Sequence, residues 1–311
     1  MNSHTSIPIG EIWADKPLPA PIYILINEKF ILYRKERDVL EDLIIQKLKT
    51  QKLYHLFILS VDYKKFQAWT KLAPTPTDSS KINPLIAKSR EQSKRAILDI
   101  FQSKHPNESI SEAIVSSKKL VDDVMKLKYA INSISELQVF SRNIADHSVN
   151  VSILSTYLAM QMGYTHHISL QNIGLGGLLH DIGKINIPLS ANDDVASIEL
   201  KRQSHPMLAR KILGNRSTGV DESVSNEVLK IIEQHHEHYD GSGFGLGLKG
   251  SSIYDLAKIV TIANYYDGYV NNGRGTLEER QARGIELLQT NSSIFDPIKL
   301  EKVIRILILG I

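Results

Sequence analysis

The run Gly-Leu-Leu-His-Asp-Ile-Gly-Lys at residues 177–184 limits how this chain can fold more than any other segment. Its leucines, with Leu175 before them, predict a buried helix, and that helix ends in His180 and Asp181. A buried carboxylate without a partner is costly in free energy, and coordination of a metal ion is one of the few ways to satisfy it. The segment therefore predicts a metal-binding centre inside a helical domain.

Histidine is concentrated in the same part of the chain, with eight of the eleven histidines between residues 147 and 238. Neutral imidazole and carboxylate suit iron, manganese or zinc, and a bridging carboxylate can join two such ions. Neighbouring residues on a helix point about 100° apart, so His235 and His236 can both be ligands only if they serve different ions or flank one. The pattern predicts a two-metal hydrolase site. A single histidine such as His147 has the alternative of a satisfied core residue.

The composition excludes several other classes of protein. The chain has 311 residues, a formal net charge of +3 and no dense block of Lys or Arg, so a general DNA binder is not indicated. It contains no cysteine, which rules out disulfides and thiolate metal sites. The N-terminus does not resemble a signal peptide, and no apolar run approaches the roughly twenty residues that a membrane helix needs. We therefore expect a cytoplasmic protein that binds neither DNA nor membrane.

The chain is expected to be mainly helical, with a small N-terminal α/β module. Residues 1–20 predict a tail that is either loose or ordered on contact, and residues 21–72 combine a hairpin, a helix over 38–53 and a third strand. Residues 73–130 hold a linker and connecting helices, because the prolines of the linker cannot continue a helix. Residues 131–311 form the metal-binding domain. The α/β module carries no chemical signature, and a regulatory role and a dimerisation role are equally compatible with it.

Helical spacing continues almost throughout the rest of the chain. It predicts helices at 84–104, 109–137, 138–162, 168–180, 199–213, 222–237, 252–272, 277–290 and 297–309, with a glycine-rich loop at 241–250. The last helix is apolar at most positions and is expected to belong to the core. A contact in a homodimer is the open alternative.

The order of these groups resembles the HD superfamily of metal-dependent phosphohydrolases, and the detail resembles its HD-GYP branch. The most specific segments are Leu-Leu-His-Asp-Ile-Gly-Lys-Ile-Asn-Ile-Pro at 178–188 and His-His-Glu-His-Tyr-Asp-Gly-Ser-Gly-Phe at 235–244. The helix that begins at His205 is similar to the family's intermediate histidine helix. The resemblance covers roughly residues 130–310. It implies a helical metal domain, a centre of two or three ions of iron or manganese, and hydrolysis of the bacterial messenger cyclic di-GMP.

Matched position by position, the resemblance assigns metal ligands. These would be His147, His180, Asp181, His205, His235 and His236, with Asp181 bridging the ions. The family's last ligand is the first Asp of an Ala-Asp-x-x-Asp helix; Asn264 stands there, and Asp267 is the acid that remains. Which of the two supplies the last ligand is left open. Asn143 replaces a glutamate that holds a third ion in some members, so we expect two ions, iron first and manganese next.

The resemblance also implies roles on the substrate side. Asp181 and Lys184 are the expected catalytic residues, and Lys184 is placed to contact phosphate oxygens and offset developing charge. The alternative for Lys184 is a surface cation after the end of a helix. Asp240, Phe244 and Arg274 join Lys184 as expected contacts of the cyclic dinucleotide.

The same side departs from the family pattern. The Gly-Tyr-Pro triplet that names the family is Gly243-Phe244-Gly245 here, so the phenolic hydroxyl and the proline are absent. Phenylalanine can stack but cannot hydrogen-bond a phosphate. Arg274 is displaced by one position, and the family's second cation is missing. Hydrogen bonds to charged groups contribute about 1.5–3 kcal/mol each, so we expect weaker binding of the dinucleotide.

Two functions follow. One is a working phosphodiesterase of altered or weak specificity, acting on cyclic di-GMP or a related phosphoester. The other is a catalytically weak, metal-bound cyclic di-GMP sensor or protein-interaction module, whose loop at 241–250 docks a partner such as a diguanylate cyclase domain. A structural metal site is a further alternative, but such sites are usually closed and mononuclear. Six correctly spaced donors favour preserved chemistry.

Overall fold

The protein is described from a computed structural model. The described residues are 3–13, 16–26, 29–40, 44–45, 48, 53, 55–71, 83–102, 106–127, 137, 143–188, 193–214, 224–272 and 276–309. The chain divides into two compact units, an N-terminal unit, Met1–Thr75, and a helical unit, Pro76–Ile311. The expected fold class, mainly helical with a small N-terminal α/β part, is confirmed.

The N-terminal unit is built on a small sheet. Its strands are β1 (His4–Pro8), β2 (Ile22–Ile26), β3 (Lys29–Arg34) and β4 (His55–Leu59). They form an antiparallel sheet of four strands in the order β1-β4-β2-β3. The predicted hairpin is present, since β2 pairs with β3 and Ile24 lies opposite Ile31. Helix α1 (Tyr63–Lys71) follows β4.

Strand β1 lies within the segment that was expected to be a tail, either loose or ordered on contact. It pairs with β4, from His4 opposite Leu59 to Pro8 opposite His55. The strand is anchored by packing, because Ile7 is fully buried. Proline is tolerated here because β1 is an edge strand, where a missing N–H is not needed by a neighbour. Most of the helix expected over 38–53 lies outside the described residues.

The helical unit contains the remaining helices. They are α2 (Pro84–Gln102), α3 (Pro106–Lys126), α4 (Ile144–Gln161), α5 (His167–Leu179), α6 (Val195–Arg202), α7 (His205–Gly214), α8 (Asn226–Gln234), α9 (Asp255–Asn272), α10 (Leu277–Thr290) and α11 (Pro297–Leu309). A short 3₁₀ segment, Ile182–Asn186, directly follows the end of α5.

Several helix boundaries differ from the predicted ones, and two of the differences have a clear local cause. The helix predicted over 199–213 is two helices, because the chain turns before His205 and restarts with Pro206 in the first turn, where proline is favoured. Helix α4 begins at Ile144, where 138 was expected as the start. The side chain of Asn143 accepts a hydrogen bond from the backbone N–H of Asp146 and caps α4.

Helices α4 and α5 form the centre of the helical core. Almost every residue of α4 is buried, and its hydroxyls are satisfied internally, as when Ser152 donates to the carbonyl of Gly174 at 2.7 Å. The two helices approach closely because Gly177 has no side chain; a Cβ there would lie 3.0 Å from the Cα of Ser152. This contact brings the first turn of α4 close to the end of α5. Among the described helices, none combines the length and apolar character needed to cross a bilayer.

Candidate metal centre

The ends of several helices converge on one buried cluster, which we call the metal centre. The side chains brought there are His147 from the first turn of α4, His180 and Asp181 directly after α5, His205 at the start of α7, His235 and His236 directly after α8, and Asn264 and Asp267 from α9. The sequence achieves this with apolar helices that end at polar residues, so that packing of the helices forces the polar ends together.

Three imidazoles at the metal centre share one orientation. His180, His205 and His235 each place Nδ1 against the backbone carbonyl three residues earlier, at 2.8, 2.7 and 2.7 Å respectively. A carbonyl oxygen only accepts hydrogen bonds, so each Nδ1 carries the hydrogen and donates it. Each Nε2 is left with a lone pair, which is how histidine binds a metal ion when a partner fixes its tautomer.

These free nitrogen atoms face one another in a buried space. The Nε2 atoms of His205 and His235 lie 3.2 Å apart, an arrangement of two lone pairs that a shared cation stabilises. Among the described residues, His180 Nε2, Asp181 Oδ1 and His236 Nδ1 are buried and have no hydrogen-bond partner. Buried polar atoms are normally paired. The donor set therefore fits a metal centre.

The electrostatics keep these ligands in the form that binds metals. Burial, reinforced by the neighbouring imidazoles, holds the pKa of His235 and of His236 well below the usual range, and burial lowers the pKa of His180. Burial acts to raise the pKa of Asp181, but the electrostatic interactions with His180 and Lys184 outweigh it and hold that pKa well below the usual range. At neutral pH these shifts keep His180, His235 and His236 neutral and Asp181 ionised.

Asp181 belongs to two adjacent donor groups. One consists of Asp181, His205, His235 and His236, and the other of His147, His180 and Asp181; within each group the ligand atoms all lie within 4.8 Å of one another. Oδ1 of Asp181 lies 3.3 Å from His205 Nε2, and Oδ2 lies 3.3 Å from His180 Nε2. One carboxylate thus presents one oxygen to each group.

His147 has different surroundings from the other histidines. Its Nδ1 lies 2.7 Å from Asp267 Oδ2, and its Nε2 lies 2.9 Å from Asn264 Oδ1. Burial acts to lower the pKa of His147, but the hydrogen bond and charge of Asp267 outweigh it, so the pKa is raised. Both oxygens of Asp267 are engaged by protein donors, Oδ1 by Asn150 and Oδ2 by His147 and Asn271. Asp267 therefore lies behind His147, while the Asn264 amide lies beside the Nε2 atom.

The expected substrate contacts are not all gathered at the metal centre. Lys184 places Nζ 2.7 Å from Asp181 Oδ2, so its ammonium neutralises the shared carboxylate. Phe244 stacks on His236 with ring centroids 4.4 Å apart. Asp240 is exposed and accepts hydrogen bonds from the N–H and hydroxyl of Ser242 within its own loop. Arg274 lies outside the described residues.

Glu237 is a structural residue that the sequence did not single out. Its buried carboxylate accepts hydrogen bonds from three successive backbone N–H groups, those of Leu246, Gly247 and Leu248. It thereby fixes the loop that carries Phe244. Gly245 has a φ of +129°, and a Cβ there would lie 2.9 Å from Glu237 Oε1. This backbone excludes proline, whose ring holds φ near −65°, so the loop differs in shape from a Gly-Tyr-Pro turn.

We expect Glu237→Gln to lower the free energy of unfolding by about 1–3 kcal/mol, because the new amide group turns an acceptor into a donor facing the N–H of the loop. Urea unfolding followed by circular dichroism measures the change. Glu286→Gln, at an exposed position of α10, is the matched control and should leave stability unchanged. Equal effects of the two substitutions would show that Glu237 does not hold the loop.

The fold and the site together define a class, that of helical proteins with a buried histidine–aspartate metal centre. Residues 144–269 match the family model described as the HD domain. This part of the chain is therefore similar to the HD domain, as the motifs indicated. The matched range begins at the first residue of α4 and ends within α9, so it contains every ligand position assigned from the motifs.

Several curated relatives match part of this chain. The chain is 30% identical over 131 residues to a probable cyclic di-GMP phosphodiesterase of Vibrio cholerae, covering 40% of this chain and 30% of the relative. It is 31% identical over 156 residues to the cyclic di-GMP phosphodiesterase PA4108 of Pseudomonas aeruginosa, covering 49% of this chain and 36% of the relative. The chain thus spans about a third of the length of these relatives.

A solved structure shares the fold over nearly the whole chain. It is Bd1817, described as a HDG"Y"P protein from Bdellovibrio bacteriovorus, with a TM-score of 0.55 and 22% sequence identity. The match covers 98% of this chain and 99% of that chain. The fold that the motifs implied is therefore shared with this structure.

Proposed function

We propose that this chain is a metal-dependent phosphodiesterase whose centre holds two divalent transition-metal ions, iron first and manganese next. The observation that carries the proposal is the position of Asp181, which belongs to both donor groups of the metal centre. A carboxylate that offers one oxygen to each of two neighbouring groups is suited to bridge two ions. A structural site would need neither a second group nor a shared ligand.

Ions bound in this way act as Lewis acids that polarise phosphoryl oxygens and activate water for attack on phosphorus. The side chains of this chain orient the centre. The backbone carbonyls behind His180, His205 and His235 fix the ring tautomers. Lys184 holds the shared carboxylate in place and brings positive charge near the position of a phosphate.

The proposed substrate is cyclic di-GMP or a related phosphoester, turned over with reduced or altered specificity. Two relatives that match part of this chain are named as a probable cyclic di-GMP phosphodiesterase and a cyclic di-GMP phosphodiesterase. Phe244 lies over His236 and offers an aromatic face but no hydroxyl. A base or sugar can pack against that face, while the hydrogen bond of a tyrosine to phosphate is lost.

A second candidate is a metal-bound sensor or interaction module. It is favoured by the loop at 241–250, which Glu237 fixes and which exposes Leu246 to 45%. A preformed loop with an exposed apolar side chain can dock a partner such as a diguanylate cyclase domain or a second copy of the chain.

The two-ion centre gives a direct expectation. We expect the protein, purified anaerobically, to carry about two transition-metal ions per chain, because both donor groups are preformed. Inductively coupled plasma mass spectrometry measures the ratio of metal to protein. A value below about one ion per chain after loading with Fe(II) or Mn(II) would contradict the two-ion centre.

The function is tested by parallel hydrolysis and binding assays with cyclic di-GMP, under Fe(II) and under Mn(II), with His180→Ala as the control. Turnover by the wild type that His180→Ala abolishes supports the phosphodiesterase. Binding without turnover supports the sensor. Neither binding nor turnover points to another phosphoester or to docking of a partner.

A further inference from the structure

A buried cation lies behind the metal centre on a helix that carries no proposed ligand. Arg90 of α2 is only 6% exposed, and its guanidinium donates through Nη1 to the carbonyl of Leu137 at 3.3 Å and through Nη2 to Asn150 Oδ1. Burial lowers the pKa of Arg90 to about 10, against the opposing charges of Asp146 and Asp267. The side chain therefore remains a cation at neutral pH, and a buried cation is retained only where its partners satisfy it.

Arg90 determines the orientation of the next residue. A guanidinium has donors only, so the atom of Asn150 that faces it must be the carbonyl oxygen. The amide nitrogen of Asn150 then points the other way and donates to Asp267 Oδ1 at 2.8 Å. The side-chain amide of an asparagine between two acceptors, or between two donors, can adopt either flipped orientation. The amide of Asn150 has one orientation, because a cation lies on one side and a carboxylate on the other.

Asp267 connects Asn150 to His147, which is a proposed metal ligand. Its Oδ1 is held by Asn150, and its Oδ2 accepts the Nδ1 hydrogen of His147 at 2.7 Å. His147 differs here from the other three oriented histidines, whose Nδ1 atoms use a carbonyl of their own helix end. The orientation of the His147 ring is therefore set by a series of side-chain hydrogen bonds that begins at Arg90 on another helix.

We propose that Arg90 is a positioning residue which, through Asn150 and Asp267, fixes the His147 imidazole and so controls occupancy of one of the two metal positions. The inference rests on the proposed two-ion centre. The position affected is the group of His147, His180 and Asp181; the other group contains no atom of this chain of contacts. Disrupting the chain should therefore remove one ion selectively.

The test compares metal content in four proteins: wild type, Arg90→Gln, Asn150→Asp and Arg95→Gln. Asn150→Asp keeps an acceptor for Arg90 but replaces the donor to Asp267 with a like charge. Arg95 lies on the same helix, is exposed and pairs with Glu91, so Arg95→Gln removes the same charge as a matched control. Each protein is loaded with Mn(II), and its fold is checked by circular dichroism.

We expect the wild type and Arg95→Gln to bind about two ions and the other two variants about one, with affinity for the second ion weakened about 10- to 100-fold, the usual cost of losing an outer partner of a ligand. The electron paramagnetic resonance spectrum should change from that of a coupled pair to that of isolated Mn(II). A general loss of structure would not remove one ion and retain the other.

The outcomes separate the two proposals. If the wild type and both network variants bind two ions with equal affinity, the role of Arg90 is overturned while the two-ion centre stands. If the wild type binds a single ion, the two-ion centre fails, and the role of Arg90 fails with it. If Arg90→Gln does not fold, Asn150→Asp decides the question, since it leaves the charge of Arg90 in place.

Discussion

Asp181→Asn is expected to leave less than about one ion per chain and to reduce any phosphodiester hydrolysis by more than about 100-fold, beyond the effect of changing an outer partner of a ligand. The substituted amide has nearly the shape of the carboxylate, so the fold should persist. It lacks the charge that binds two cations and that pairs with Lys184 at 2.7 Å. Metal content and turnover are measured on the same preparation, loaded with Fe(II) or Mn(II).

Asp240→Asn is the matched control for metal binding, because it removes the same charge from an exposed carboxylate whose contacts, with Ser242, Ser293 and His238, lie outside both donor groups. We expect it to retain both ions. Wild-type metal affinity in Asp181→Asn would mean that the two donor groups are not joined by this carboxylate. The metal measurement is informative whether or not the wild type hydrolyses cyclic di-GMP.

The helical unit and the residues of the buried histidine–aspartate cluster could be predicted from the sequence because both depend on local patterns. Hydrophobic spacing predicts helices, and an apolar helix that ends in His180 and Asp181 predicts a buried metal-binding group. The histidines that follow were assigned from motifs, and the structure brings them together within 4.8 Å in two groups. Asp181 belongs to both groups, and its role as a bridging ligand remains a prediction from the resemblance.

The contacts that orient the ligands could not be predicted, because they join residues far apart in the chain. Arg90 and Asn150 are 60 positions apart, and Asn150 and Asp267 are 117 apart. Nothing in the sequence near Arg90 distinguishes it from a surface cation of an amphipathic helix. For Asp267 the sequence left a ligand role open, and it did not show that both oxygens accept hydrogen bonds from protein donors.

The backbone conformation could not be predicted from the sequence for a related reason. The sequence shows that Gly245 replaces a proline, but not that its φ is +129°. It also shows three prolines and a glycine in the first twenty residues without showing that Ile7 is buried in a strand. Such features depend on which segments of the backbone pack against one another in the fold. The sequence alone does not show which segments these are.

The second of the two largest effects is expected for a substitution at Gly183. It lies in the 3₁₀ segment just after Asp181, and a Cβ there would stand 1.9 Å from the backbone oxygen of His205 and 2.6 Å from the backbone nitrogen of Ala209. These atoms belong to the backbone of α7, which cannot turn aside as a flexible side chain can. Glycine is required here because the backbone of α7 approaches closely. The φ of Gly183 is not among the positive values, so the backbone conformation is not the reason.

We expect Gly183→Ala to lower the free energy of unfolding by about 3 kcal/mol or more, the upper part of the range for overpacking. It should also weaken metal binding, because the displaced α7 begins with the ligand His205. Urea unfolding of the metal-free protein isolates the packing effect, and Mn(II) titration of the folded variant measures the effect on the centre.

Gly268→Ala provides the matched comparison, since Gly268 lies in α9 and a Cβ there would meet nothing within 4 Å. Because alanine is the better helix former, this change should stabilise the protein by about 0.5–1 kcal/mol. A similar, small effect at Gly183 would mean that α7 can move away from the 3₁₀ segment at little cost. The spacing between Asp181 and His205 would then not be set by this contact, and the glycine of the His-Asp-Ile-Gly-Lys run would need another explanation.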